Sequence, residues 1–69
     1  MAAYSDVTVH VGADTVLIEC RGGSRRQRGA ALGAAVRKLP DDFRMTHIGY
    51  DEVYGFQSMT YARYDRVTD

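Results

Sequence analysis

The sequence predicts a single α+β domain in which one helix packs on one face of a four-stranded, mostly antiparallel sheet, in the order β-β-α-β-β. Three observations predict this fold. Alternating apolar residues flank the middle of the chain on both sides, a helix start signal lies between them, and 69 residues provide the core of one domain only. We therefore expect residues 1–69 to form one compact unit.

The first two strands are predicted to form a hairpin. Val7, Val9 and Val11 alternate with polar residues, and residues 15–20 form a second strand. We expect a two-residue type II′ turn at Gly12-Ala13, with glycine in the first central position. This turn places one apolar set on the same face of the sheet, which consists of Val7, Val9, Val11, Val16, Ile18 and Cys20.

The helix has a start signal and a stop signal. Ser24 and Gln27 match the capping box, in which each side chain binds the exposed backbone N–H of the other residue. Apolar residues then recur at helical spacing until Pro40, so we expect a helix over residues 25–38. The recurring residues are Leu32, Ala35, Val36 and Leu39.

Two more strands are expected at residues 43–50 and 53–64, with a turn near Asp51-Glu52. The helix-facing set is predicted to be Phe43, Met45, His47, Tyr54, Phe56, Ala62 and Tyr64. The opposite face is unusually apolar and aromatic for a solvent face. It consists of Arg44, Thr46, Ile48, Tyr50, Val53, Gln57, Met59, Tyr61 and Arg63. The strand order stays open, because the helix could place the third strand beside the first or the second.

The charge distribution suggests a polyanionic partner. Formal net charge is zero, yet residues 21–38 carry six cations and no acid, whereas the rest carries nine acids and three cations. A helix N-terminus with arginines favours phosphate groups, so we expect nucleic acid ahead of an acidic protein surface. The predicted polyanion-binding residues are Arg21, Arg25, Arg26 and Arg28. Alternatively, Asp51 and Glu52 neutralise these arginines within the molecule.

The main alternative is a protein-protein interaction module, such as a small regulator or inhibitor. Tyrosine, methionine and arginine are enriched in protein interfaces, and so small a domain gains stability from a second copy. We expect a homodimer through the sheet face that lacks the helix. The predicted interface residues are Arg44, Ile48, Tyr50, Met59, Tyr61 and Arg63.

The segment CRGGSR, which begins at Cys20, resembles the active-site loop of rhodanese-type sulfurtransferases, approximately C-R-x-G-x-R. It also resembles the C-x5-R loop of cysteine-based phosphatases. These resemblances imply a Cys20 thiolate as nucleophile, with Arg25 or Arg26 holding an anionic substrate. Both families use a parallel sheet, whereas the predicted hairpin makes the strand of Cys20 antiparallel to its predecessor. We therefore expect a binding protein and not an enzyme.

The cysteine and histidine content, together with the lack of long apolar segments, narrows the expected cellular compartment and the kinds of ligand. A lone cysteine forms no internal disulfide, which fits a reducing compartment. No segment is apolar enough for a signal peptide or a membrane span, so we expect a cytoplasmic protein without membrane contact. His10 and His47 are isolated, and no spacing resembles a zinc site. We expect neither a metal nor a cofactor.

Overall fold

The computed structural model of the chain describes residues 6–54 and 57–67, which form four strands and one helix. The elements are β1 (Asp6–Val11), β2 (Thr15–Arg21), α1 (Arg25–Val36), β3 (Phe43–Tyr54) and β4 (Gln57–Arg66). The strands form one sheet in which every pair of neighbours is antiparallel. The predicted β-β-α-β-β fold is thus confirmed. No helix in the described part of the chain has the length and apolar character needed to cross a membrane.

The strand order is β1-β2-β4-β3, so β4 lies between β2 and β3. The sequence had left the strand order open, and the third strand lies beside neither of the two neighbours considered, the first and the second. Both β2 and β3 pair antiparallel with β4 and consequently run parallel to each other, with α1 as the crossover between them. This arrangement makes β2 and β4 the central strands and leaves β1 and β3 at the edges.

The β1-β2 hairpin turns one residue later than predicted. Val11 pairs with Val16, and the Gly12 N–H donates to the Thr15 carbonyl at 2.7 Å, which places the turn at residues 13–14. Gly12 also lacks the positive φ that the predicted type II′ turn requires. The observed register sets Val11 opposite an apolar residue, whereas the predicted turn would set it opposite Asp14. Because both turns keep the same parity, the predicted common face is confirmed.

The β3-β4 hairpin is longer than predicted. β3 continues through Asp51 and Glu52, so the predicted turn at this pair is wrong, and the connection at residues 55–56 lies outside the described residues. The predicted positions of the Tyr54 and Phe56 side chains on the helix face likewise lie outside the described residues. The same holds for the predicted positions of Val53 and Gln57 on the opposite face.

An extra residue in β3 changes which side chains face the helix. The pairing with β4 skips Thr46 between Met45 and His47, which is a bulge, and the alternation reverses beyond it. His47 consequently lies on the face away from α1, whereas Ile48 lies opposite Ala62 on the helix side. The prediction of His47 as a core residue and of Ile48 on the opposite face is wrong.

The same reversal brings Tyr50, two residues beyond Ile48, to the helix side. The Arg25 guanidinium of α1 lies over the Tyr50 ring, 5.1 Å from its centre. Burial raises the pKa of Tyr64 on the helix face, and the nearby Tyr50 phenol raises it further. The prediction that Tyr50 lies on the face away from the helix is therefore wrong.

The core lies between α1 and the two central strands. Its buried residues are Val16, Ile18 and Cys20 of β2, Leu32 of α1, and Ala62 and Tyr64 of β4. A helix with side chains is about 10 Å wide and neighbouring strands are about 4.8 Å apart, so one helix covers about two strands. The edge strands therefore extend beyond the helix on both sides.

Candidate binding surfaces

The chain turns sharply from β2 into α1. Gly22 and Gly23 have φ angles of 78° and 69°, in the left-handed region that glycine adopts without a steric penalty. The predicted capping box is present: the Gln27 N–H donates to Ser24 Oγ at 3.1 Å, and the Ser24 N–H donates to Gln27 Oε1 at 2.7 Å. These bonds fix the direction of the first helical turn and of the arginine side chains on it.

Arg25 and Arg26 are exposed on the first turn of α1, which contains no acidic residue. Arg25 lies over the ring of Tyr50, which is itself 51% exposed. A guanidinium at this distance is attracted to the face of the aromatic ring. The structure thus brings together two residues that were predicted for separate surfaces, one for polyanion binding and one for the sheet interface.

Arg21 lies at the end of β2 and is paired within the molecule. Its guanidinium is 3.2 Å from Glu19 Oε1, and the same oxygen is 2.8 Å from His10 Nε2. The Arg21 side chain is about half exposed, and an exposed pair of this kind contributes little to stability. Glu19 nevertheless reduces the positive potential at this corner of the molecule.

Arg28 is buried, although it was predicted to bind a polyanion. Its Nε donates to Thr60 Oγ1 at 3.1 Å, and its Nη1 donates to the Gly23 carbonyl at 2.8 Å. Arg28 therefore links α1 to β4 and to the loop before the helix. The sequence does contain a signal for the burial of Arg28. Arg28 lies one helical turn before Leu32 and therefore on the helix face that packs on the sheet.

Cys20 is free and fully buried in the core. Burial raises the pKa of its thiol above the ordinary value of 9.0, and the opposing effect of the Arg28 charge is smaller. The loops that CRGGSR resembles need a thiolate with a lowered pKa that substrate can reach. In this setting Cys20 packs as a small apolar side chain.

The face away from the helix carries four of the six predicted interface residues. Hydrogen bonds from Thr46 and Thr15, together with the Arg63 guanidinium 3.2 Å away, hold the pKa of Asp65 below its ordinary value. Because Ile48 and Tyr50 lie on the helix side, this face is more polar than predicted. The four residues on it are Arg44, Met59, Tyr61 and Arg63, of which Met59 is buried.

The exposed apolar surface lies on the helix side, along the two edge strands. Among the described residues, seven large hydrophobic side chains are exposed, and six of them lie on edge strands. We call Val7, Val9 and Val11 the β1 flank, and Met45, Ile48 and Tyr50 the β3 flank. Sequence reasoning placed the β1 flank on the same face as Val16, Ile18 and Cys20, and strand periodicity shows which face is apolar but not whether the strand lies at an edge. The described residues enclose no pocket, so both flanks are open surfaces.

Comparison of the chain with protein-family models, with curated proteins and with solved structures finds no match.

Proposed function

We propose that this domain acts by binding and not by catalysis, and that its ligand is a polyanion, with single-stranded nucleic acid preferred. The position of Arg25 over Tyr50, with both side chains exposed, carries this proposal. Proteins that bind single strands combine cationic groups for the phosphates with aromatic rings on which bases stack. Arg25 and Tyr50 supply both kinds of group within one contact.

The surroundings of this pair support the same ligand. Arg26 adds a second exposed cation, and the N-terminal end of the helix dipole favours anions at the same place. Met45 and Ile48 continue the surface along β3 as exposed apolar groups that bases can contact. Arg28 does not contact the ligand in this proposal. It supports the site from the interior, because its hydrogen bond to the Gly23 carbonyl holds the loop before the helix.

The test is fluorescence anisotropy of labelled random-sequence nucleic acid, single-stranded and double-stranded, at low and moderate salt. Binding should weaken steeply with salt, because cation contacts release counterions from phosphates. The double variant Arg25→Ala/Arg26→Ala should lose about tenfold or more in affinity at low salt. Tyr50→Ala should weaken single-strand binding by about 1–3 kcal/mol and change double-strand binding less.

The matched control is Arg37→Ala/Lys38→Ala, which removes the same charge from exposed positions at the far end of α1. If this control weakens binding as much as Arg25→Ala/Arg26→Ala does, the attraction is only a general effect of charge. Absence of binding at low salt contradicts the proposal outright.

A second candidate function is a protein-interaction module that uses the β3 flank. The observation in its favour is the exposure of Met45, Ile48 and Tyr50 on one side of the helix. An apolar protein interface responds weakly to salt, whereas phosphate binding responds strongly. The salt dependence of the binding affinity therefore separates the two functions, when it is measured for nucleic acid and for any protein that binds this surface.

A further inference from the structure

Within residues 6–54 and 57–67, no strand pairs with the outer edge of β1, which leaves backbone groups there without a partner at known positions. The Gly12 N–H bonds to the Thr15 carbonyl, and the bonded pairs of an antiparallel ladder alternate from there. The even-numbered residues of β1 therefore bond to β2. The N–H and C=O groups of Val7, Val9 and Val11 consequently point away from β2, toward the open edge.

The same three valines carry the exposed apolar side chains of the β1 flank. Their exposed fractions are 43%, 47% and 76%, because α1 does not extend over β1. Proteins usually protect such an edge with lysine, proline or a bulge. The strand, DVTVHV, contains no lysine or proline, and its pairing with β2 shows no bulge. Backbone groups and side chains thus leave this edge ready to accept another strand.

We propose that a second copy of the chain binds here, with its β1 antiparallel to the first β1, so that the two sheets join into one. In this arrangement a two-fold axis passes at Thr8, and Thr8 faces Thr8 of the second copy. Val7 faces Val9 of the second copy, and the pair exchanges the outward-pointing backbone hydrogen bonds. Both helices then lie on the same side of the joined sheet, and the two β1 flanks form one continuous apolar surface.

Charge selects this register. It places Asp6 opposite His10 of the second copy, and symmetry repeats the pair. His10 keeps Nε2 on Glu19, and the imidazole has a second ring nitrogen for the carboxylate. A shift by one residue would set the valines opposite polar side chains, and a shift by two would set Asp6 opposite Gly12 in one direction or Thr8 in the other, neither of which is a partner for its charge. The strand is therefore complementary to itself in one register.

The joined strands are short, so the interface is small and the dimer is expected to be weak and reversible. The proposal differs from the homodimer predicted from sequence, which used the opposite face of the sheet. It is also independent of nucleic acid, and both tests below are made without it.

The first test places a cysteine on the proposed axis. Thr8 would form a pair without backbone hydrogen bonds, whose Cα atoms are about 4.5 Å apart and therefore within the range of a disulfide. Mild oxidation of Thr8→Cys should give a covalent dimer within the time in which wild type, with Cys20 buried, gives none.

The control is Val11→Cys, which keeps Asp6 and His10 and is the most exposed position of the β1 flank. In the proposed register its two copies are about 20 Å apart, from a strand rise of about 3.3 Å per residue. Equal cross-linking of Thr8→Cys and Val11→Cys would indicate random collision and overturn the register. A Thr8→Cys protein that stays monomeric would overturn it as well.

The second test compares the two edges. Val9→Lys and Met45→Lys introduce the same charge at similarly exposed positions on β1 and β3. Sedimentation velocity over about three decades of concentration should show wild type and Met45→Lys shifting toward dimer, and Val9→Lys staying monomeric. Circular dichroism confirms that each variant is folded. A wild type that is monomeric at millimolar concentration, or loss of the dimer in Met45→Lys alone, would overturn the proposal.

Discussion

Gly49 and Tyr61 face each other across β3 and β4, and the tyrosine ring occupies the space of the missing glycine side chain. A Cβ placed on Gly49 would lie 2.2 Å from Tyr61 Cε1 and 2.7 Å from its Cζ. An aromatic ring that covers a glycine on the neighbouring strand restores the packing that glycine lacks. This pair fixes one side of the β3-β4 hairpin at a point where β3 is irregular.

We predict that Gly49→Ala destabilises the protein by about 1–3 kcal/mol, because the whole tyrosine ring must move to admit the methyl group. Urea unfolding followed by circular dichroism measures the change. In a Tyr61→Ala background the same substitution should cost little, since the obstructing ring is absent. An equal cost in both backgrounds would place the strain in the backbone of Gly49 and not in the ring.

At the residue scale, the sequence predicted the capping box of Ser24 and Gln27 because both partners lie within one helical turn. It did not predict the bulge at Thr46, because the bulge is a feature of the pairing between β3 and β4. The alternation of residues within β3 does not encode that pairing. It assigned Arg28 to the surface by charge, although its bonds to Thr60 and Gly23 place it inside. Local patterns therefore predicted local contacts and missed those made between distant segments.

At the scale of the element, α1 contains two glycines that the fold does not require. An added Cβ at Gly29 or at Gly33 would meet nothing within 4 Å. Glycine in the interior of a helix loses more backbone entropy on folding than alanine does. The helix, its start and its approximate end were predicted correctly, since capping and 3.6-residue periodicity are both local signals.

We predict that Gly29→Ala and Gly33→Ala each stabilise the protein by about 0.5–1 kcal/mol, with additive effects. The measurement is the urea midpoint of each single variant and of the double variant. Gly49→Ala is the internal contrast, because it adds the same methyl group and is expected to act in the opposite direction. Destabilisation by either helical variant would contradict the open space beside that glycine.

At the scale of the whole molecule, the core contains two acidic groups that resist ionisation. Burial raises the pKa of Cys20 above 9.0 and that of Tyr64 above 10.0. Below these values both groups are protonated in the folded and the unfolded chain, so they do not affect stability. Above them the unfolded chain loses its protons first, so the free energy of unfolding decreases as the pH rises.

We predict that stability declines as the pH rises above about 9, first through Cys20 and then through Tyr64. Urea midpoints between about pH 7.5 and pH 10.5 measure the decline. Cys20→Ala should remove its earlier part, and Tyr64→Phe its later part. A midpoint that is independent of pH in wild type would contradict the burial of both groups.

The fold class was predictable because strand and helix periods, capping and Pro40 all lie within short segments. The strand order was not predictable, because it depends on whether β3 or β4 pairs with the free edge of β2. That choice is made by contacts between distant segments, which no local pattern encodes. The candidate site was predicted in part. Arg25 and Tyr50 were both identified, but their meeting depends on the bulge at Thr46, beyond which Tyr50 faces α1.

The central position of β4 has a consequence for synthesis of the protein. β4 is the last of the described strands in the sequence, yet it supplies the partners of both β2 and β3. A nascent chain that has left the ribosome only as far as β3 holds a β1-β2 hairpin and a helix that lack a completed sheet. Cooperative folding must therefore wait for residues 57–66, and a ribosome that stalls earlier exposes Val16 and Ile18 to chaperones and proteases.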